Sequence, residues 1–304
     1  MSVILPVRDS EKTIRRAVTS TLRAMPRDSE LVVLDDGSTD STVVILDELS
    51  KDTRLRVLQG GDEAGRGVGP ALAKLMAATD SQFVARMDAD DISMPWRFRE
   101  TLPLVRTSAD LVFTAILKLQ GQRLVPGLPA SISPGAFRLH LLLTNPACHP
   151  TLVARREAID RVGGYRAVPS EDYDLWMRCA TSGARLLRAA SYGLIYRIHP
   201  TQVTASKSWQ IASWADSQQA AAYADLSERV VGRRLPRLVQ IAALDPTSRE
   251  RAVREFETLL SPAIAELGGL QGAILTRRLR ARVKWVRDQP TATTDKPEQR
   301  DLRA

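Results

Sequence analysis

The sequence predicts an α/β protein, an open and mostly parallel sheet with helices on both faces. Three observations predict it: a β-α-β beginning, strands written as continuous apolar runs, and acidic clusters placed just behind those strands. Residues 2–7 read as a strand and residues 12–25 as a helix, with Ile14, Ala17, Val18, Thr21 and Leu22 on one stripe. The second strand, over 30–34, runs Leu31-Val32-Val33-Leu34 without alternation, as expected for a central strand covered on both faces. It enters a polar turn over 35–42, where a Ser or Thr can cap a helix over 42–49. Residues 54–59 give a third strand. The glycines at 60, 61, 65, 67 and 69 make a flexible connection to a helix ending near Ala78, and are not spaced as a phosphate-binding G-x-G-x-x-G loop.

The next strand, Phe83-Val84-Ala85-Arg86-Met87, stops in Asp88-Ala89-Asp90-Asp91. Like charges packed this closely repel unless a cation neutralises them, and a divalent metal is the simplest cation. Asp88 and Asp90 alternate along extended backbone and so face the same way. Asp9, Asp35-Asp36 and the Asp88 cluster each follow a strand, and in an open α/β sheet the carboxyl ends of strands form the ligand crevice. The three clusters are therefore expected to meet at one site.

Bulk properties agree. A chain of 304 residues with 44% hydrophobic and 26% charged residues is globular, large enough for one α/β domain plus an appendage. The net charge of +8 suits a polyanionic partner: a phosphorylated ligand, a membrane surface or a nucleic acid. The two cysteines, Cys148 and Cys179, make no disulfide framework and have no metal-ligand spacing, which points to a reducing cytoplasm. The first residues do not read as a signal peptide, and no apolar run is long enough to cross a membrane.

Ile4-Leu5-Pro6-Val7, Val33-Leu34-Asp35-Asp36-Gly37-Ser38-Thr39-Asp40 and Ala85-Arg86-Met87-Asp88-Ala89-Asp90-Asp91 resemble successive nucleotide-binding motifs of the family 2 glycosyltransferases. His149-Pro150-Thr151, Gly163-Gly164-Tyr165-Arg166, Glu171-Asp172-Tyr173-Asp174-Leu175-Trp176 and the run from Tyr196 through His199 to Thr204 resemble later motifs in the same order. The resemblance covers about two thirds of the chain and implies the GT-A fold: a mixed sheet flanked by helices, here with a C-terminal helical extension. It divides the chain into a GT-A domain over 1–204, with a nucleotide-sugar half at 1–92 and an acceptor half at 93–204, a helical extension over 205–289, and a disordered tail over 290–304.

The resemblance also implies an inverting glycosyltransferase that takes a sugar from a nucleotide sugar. Donor contacts are expected from Pro6, Val7, Arg8, Asp9, Asp35, Arg66 and Asp88, with Asp35 reading the base and Asp88 and Asp90 holding Mn²⁺ or Mg²⁺. Many relatives carry an aromatic residue where this chain has Arg8, so the nucleobase is open; UDP is favoured over dTDP or GDP. His199 is expected at the metal or diphosphate, against a purely structural role. Asp172 is the expected base, against capping alone, with Glu171 and Asp174 as substitutes; acids at a helix N-terminus also simply favour its dipole. Asp91 is given a structural role. His149 either contacts the acceptor or pins a turn, and Trp176 is placed against the acceptor.

Residues 110–119 read as a strand, 121–134 as a proline-bearing loop over the site, 151–154 and 194–196 as short strands, and 173–182 as a helix. Farther on, 209–231, 248–267 and 274–286 read as helices. The last carries Leu275, Leu279, Val283 and Val286 on one stripe among arginines, with Trp285 beside it. That helix can lie on anionic lipid at the inner face of the plasma membrane, pack on its neighbours, or join two copies into a dimer. The acceptor is a glycan, a lipid-linked intermediate or a protein, and no nucleic acid is expected. The rival functions are a nucleotidyltransferase, which lacks its Gly- and Lys-rich loop here, and a nucleotide-binding scaffold with a basic nucleic-acid or membrane surface.

Overall fold

The structure, a computed structural model, describes residues 1–61, 65, 67–199 and 206–290. Arg66, the whole run from Pro200 to Thr204 and the tail after 290 lie outside the described residues. A nine-stranded sheet runs in the order β3-β2-β1-β4-β8-β6-β9-β5, with β7 paired to β6. The strands are β1 Ser2–Val7, β2 Glu30–Asp35, β3 Leu55–Gln59, β4 Phe83–Arg86, β5 Ile92–Ser93, β6 Leu111–Gln120, β7 Arg123–Pro126, β8 Val153–Arg155 and β9 Leu186–Ile198. The first four are mutually parallel. The sheet is mixed because β8 runs antiparallel to both β4 and β6, while β6 and β9 run parallel. This is the expected α/β class with GT-A character.

Continuous apolar strands bury both faces of this sheet. Along β1 and β2, Val3, Leu5, Leu31 and Val33 join one core cluster, while Ile4, Val32 and Leu34 join the other. The two cores are covered by different helices. Helices α1 Ile14–Ala24, α2 Thr42–Leu49 and α4 Arg97–Thr107 contribute to the first cluster. Helices α3 Val68–Ala77, α5 Pro134–Leu141 and α7 Glu171–Thr181 contribute to the second; α6 is the short Arg156–Asp160 helix between β8 and α7.

Strand directions place the site. Because β8 is antiparallel to β4, the start of β8 lies at the same rim as the end of β4. One further reversal, between β8 and β6, and the parallel pairing of β6 with β9 bring the end of β9 to that rim as well. The carboxyl ends of β1, β2, β4 and β9 and the approach to β8 therefore share one edge, as the crevice rule requires.

Several expectations change in detail. The loop expected over 121–134 is a β6–β7 hairpin turning at Gly121, whose φ is +59°, followed by the start of α5. The helix expected over 209–231 is two, α8 Lys207–Ala215 and α9 Ser217–Val231. Asp216 breaks it with extended backbone, and its carboxylate accepts from the Gln219 amide. After α10 Leu238–Ala242 come α11 Pro246–Leu267 and α12 Gly269–Arg287. Gly268 and Gly269, at φ +60° and +52°, turn the chain between them in the left-handed region.

The α12 stripe of Leu275, Leu279, Val283 and Val286 belongs to the core, at most 5% exposed. It packs against α10, α11 and α5, so this stripe is used inside the protein. Trp285 packs edge-on to Trp214 at 6.3 Å instead of facing an interface. Among the described residues no helix is long and apolar enough to cross a membrane.

Among the polar contacts that fasten this extension to the sheet domain, Arg278 Nη1 donates to His140 Nδ1 of α5 at 2.9 Å. A ring that accepts there is neutral. Burial first, then the charges of Arg278 and Arg188, pushes the His140 pKa from 6.5 down to about 3. The unfolded chain takes up this proton below pH 6.5 and the folded chain does not. The stability involved is fully present above that pH and falls as pH drops toward about 3, by up to about 1.4 kcal/mol per unit. His140→Gln keeps an acceptor without the titration. In urea unfolding at about pH 7 and about pH 5, the parent is expected to lose about 1–2 kcal/mol more than this variant.

Candidate active site

A cleft of about 1360 Å³ opens along the shared rim, walled by the sheet edge on one side and by α7 and the C-terminal helices on the other. On the sheet side Pro6, Val7, Arg8 and Asp9 all line it. Asp9 is held at φ +46°, with Oδ1 accepting the Thr39 amide at 2.7 Å and its own amide donating to Ser38 Oγ at 3.0 Å. The Thr39 amide holds the Asp9 carboxyl below the usual carboxylate range. Arg8 Nε stands 3.6 Å from Asp9. Gly65 backs onto Arg8, where a Cβ would come within 2.8 Å of Nη1.

Asp35 stands back from the cleft. It is 3% exposed, its carboxylate is turned toward the Ser38 amide at 3.3 Å, and it does not line the cleft. Its backbone still closes β2, so its side chain folds back into the turn it terminates. Asp36 takes the place on the wall, with Oδ1 accepting from the Gly65 amide at 2.9 Å.

At the end of β4, ligand atoms of Asp88, Asp90 and Asp91 lie within 4.8 Å of one another. Asp88 and Asp90 face the cleft. Asp91 faces inward at 1% exposure and accepts the Arg197 amide at 2.9 Å, which is the structural part expected of it. Burial and then the adjacent Asp90 charge push Asp91 up to about 8. His199, arriving from the end of β9, sets Nε2 3.0 Å from Asp90 Oδ2. Residues 109 positions apart thus meet at one point, as predicted. Two carboxylates and an imidazole, all partly exposed, make a donor set for a hard divalent cation.

Two arginines that the sequence reading passed over sit behind this cluster. Arg86, 5% exposed, pairs with Asp88. Arg97 is fully buried and donates to the Arg86 carbonyl at 2.7 Å. A charged residue inside an otherwise apolar strand was the available signal, since such a cation stays buried only beside anions.

The opposite wall carries the acids of α7. Ser170, its N-cap, adopts left-handed backbone at φ +57° and makes no side-chain cap. Asp172 Oδ1 accepts the Tyr173 amide at 2.7 Å and Oδ2 accepts from Asn145 Nδ2 at 2.8 Å. Burial, reinforced by the neighbouring Glu171, raises its pKa. Glu171 is raised too, chiefly by burial, and stands 3.5 Å from His149 Nδ1. Both carboxyls line the cleft and can accept a proton above the ordinary carboxylate range.

Three expected residues fall elsewhere. Asp174 is fully buried and bonded to Arg178 at 2.8 Å, with Arg166 at 3.7 Å; it braces α7 and cannot substitute as base. Trp176 is fully buried, its ring edge-on to Phe113 at 4.8 Å and to His149 at 5.4 Å. It lies on the inward stripe of α7 and does not touch the cleft. His149 borders the cleft, yet Nε2 is bonded to Tyr165 Oη at 2.9 Å and Nδ1 faces Glu171. Burial, followed by the Arg86 charge, keeps its pKa well below normal. The pinning role is the one this geometry supports.

A family model described as glycosyl transferase family 2 matches residues 2–163, more than half of the chain, and the chain belongs to that family. The O-antigen biosynthesis glycosyltransferase WbnJ of Escherichia coli is 28% identical over 71% of this chain and 87% of its own length. Two solved structures share the fold. S. aureus TarS 1–349 in complex with UDP-GlcNAc superposes with a TM-score of 0.59 at 17% identity, covering 94% of this chain and 90% of that one. The mannosyltransferase PcManGT from Pyrobaculum calidifontis, in complex with GDP-Man and Mn²⁺, gives 0.56 at 17% identity, covering 95% and 83%. The protein is a glycosyltransferase, and the scaffold and nucleotidyltransferase readings fall away.

Asn145 came from no motif, and its role is to position. Its amide donates to the Asp172 carboxylate and thereby favours the ionised form. Asn145→Ala is expected to move the acidic limb of the rate profile to higher pH, with donor KM unchanged. A pH series of kcat and KM checks this, because a merely structural role would not move the limb alone.

Proposed function

We propose that the enzyme moves a sugar, with inversion at the anomeric carbon, from a nucleoside diphosphate sugar to an acceptor hydroxyl. UDP is favoured as the nucleotide, and the acceptor is a glycan, a lipid-linked intermediate or a protein. The observation that carries this reading is that Asp88, Asp90 and His199 face Asp172 and Glu171 across one cleft. A charge-neutralising site for a diphosphate and a proton acceptor of raised pKa then flank the same space.

In this reading Asp172 takes the proton from the acceptor hydroxyl as that oxygen forms its bond to the anomeric carbon. The bond from that carbon to the β-phosphate oxygen breaks in the same step, and the nucleoside diphosphate leaves with the electron pair. One displacement inverts the centre. Asn145 and the Tyr173 amide hold the carboxylate in place, and Glu171 serves if Asp172 is already protonated.

The donor set fits Mn²⁺ or Mg²⁺: carboxylate oxygens and one imidazole, gathered where burial leaves Asp88 and Asp90 open and closes off Asp91. Such a cation supplies positive charge for the leaving diphosphate. Arg8 and Arg86 add fixed positive charge along the same wall. UDP is supported by the nucleotide in the TarS complex, and Mn²⁺ by the PcManGT complex. A cell-envelope glycan as acceptor is supported by the name of WbnJ. We place the reaction in the cytoplasm.

Asp90→Ala is expected to lose metal-dependent binding of UDP in calorimetry with Mn²⁺, and chelation of the parent by EDTA to do the same. Asp172→Asn keeps that binding and loses turnover by about 10²–10⁴-fold, the usual contribution of a general base. Parent-like behaviour of either variant overturns its assignment.

A further inference from the structure

The C-terminal helices contribute a second charged element to the cleft that donor binding and proton transfer leave unused. Arg237, at the start of α10, is only 7% exposed. It donates once, from Nη1 to the Ser213 carbonyl at 2.7 Å. Arg282 of α12 is half-buried on the same wall. Among the described residues neither forms an ion pair with a carboxylate, and Arg282 has no hydrogen-bond partner. Both line the same cleft, and the charges of both act on Tyr173, whose pKa burial raises and the two arginines lower. Tyr173 directly follows Asp172, so the pair stands on the base's side of the cleft, across from Asp88 and Asp90.

A guanidinium removed from water without a paired anion is costly, and desolvation is the leading effect on Arg237; the Asp216 charge opposes it only weakly and forms no ion pair with it among the described residues. Polypeptides keep such groups where a ligand supplies the anion, because the planar fork matches phosphate and carboxylate oxygens. Around them stand Trp209, Trp214 and Trp285, all on the cleft wall, and Trp214 keeps 47% of its surface exposed beside the Trp285 ring. Broad exposed rings beside polar donors suit the apolar faces of sugar rings. The donor's own diphosphate is already met on the opposite wall.

We infer that Arg237 and Arg282, with the tryptophans beside them, form an acceptor subsite that takes a glycan carrying an anionic group, a phosphate or a carboxylate, next to the accepting sugar. This rests on the proposed function and narrows its acceptor to a charged class. The anion has two sources, a diphosphate joining the sugar to a lipid or an acidic sugar within the glycan itself.

The experiment uses the full chain and follows tryptophan fluorescence and calorimetry, with and without saturating UDP and Mn²⁺. Three probes are titrated: octyl diphosphate below its micelle concentration, tri-galacturonate, and neutral maltotriose. At least one anionic probe is expected to bind about ten-fold or more tighter than maltotriose and to weaken as salt rises. Arg237→Gln and Arg282→Gln are each expected to weaken it at least about five-fold while leaving UDP affinity as in the parent. Preference for octyl diphosphate identifies the lipid-linked source, and preference for tri-galacturonate the acidic glycan. Equal binding of maltotriose, no binding of either anion, or full retention in the variants overturns the inference. Should Arg237→Gln fail to fold, Arg282→Gln decides alone, since its side chain is only half-buried. Loss of UDP binding by the parent instead counts against the donor reading, and the titrations without UDP still decide the subsite.

Discussion

Repulsion among carboxylates is the constraint the rest of this molecule answers. The rim of the sheet collects Asp9, Asp36, Asp88, Asp90 and Asp91 from one side and Glu171 and Asp172 from the other. Such a concentration of negative charge persists only with compensation built in. The chain supplies it in graded form. Arg86 and Arg97 lie beneath the cluster, burial favours the protonated form of Asp91, and Asp90 meets the imidazole of His199. Asp88 and Asp90 remain open to the cleft, where the proposed cation and diphosphate would complete the balance. The positive net charge of the chain belongs to the same account.

The C-terminal helices finish this arrangement. Their apolar residues are consumed in holding α12 to α11, α10 and α5, and the His140–Arg278 bond ties them to the sheet domain. Part of the basic character of α12 is used internally, since Arg287 pairs with Glu250 and Glu257. Arg282 and Trp285 are what this packing leaves turned toward the cleft. A helix with the composition of a lipid-surface segment is therefore a wall of the cleft.

What the sequence disclosed and what it withheld divide along a physical line. Features carried by one continuous segment were legible: β1, β2 and β4 as apolar runs, and acids just behind them, because strand direction alone brings their ends to one edge. His199 was legible through its motif. Features decided by which surface covers which were not. The α12 stripe looks the same whether it meets lipid or another helix. Asp174, two residues on, points to the opposite side of α7 from Asp172 and is buried, while Trp176 shares the side of Asp172 but lies one turn deeper, where the core already covers it. Asn145, Arg237 and Arg282 reach the cleft from distant segments that no local pattern links, and the burial of Asp35 was not legible because a turn can fold a carboxylate back on its own backbone.

Backbone strain marks where the two walls are held to their positions. Among the described residues, only Asp9 and Ser170 adopt positive φ without being glycine, and both line the cleft from opposite sides. Each such residue costs on the order of 1 kcal/mol, a conformation kept only when its surroundings impose it. At Asp9 the Ser38 and Thr39 contacts impose it, tying the end of β1 to the turn after β2. At Ser170 the imposition comes from α7, whose buried stripe of Leu175, Trp176 and Cys179 fixes the helix against the core. Ser170 Oγ bonds to Ser213 of α8 instead of capping α7. The first turn of α7 is thus left without a side-chain cap from Ser170. Asp172 accepts an amide there itself and remains on the cleft wall. The same left-handed residue that links the helical extension to α7 also leaves the Asp172 carboxylate on the cleft wall, where the proposed base has to stand.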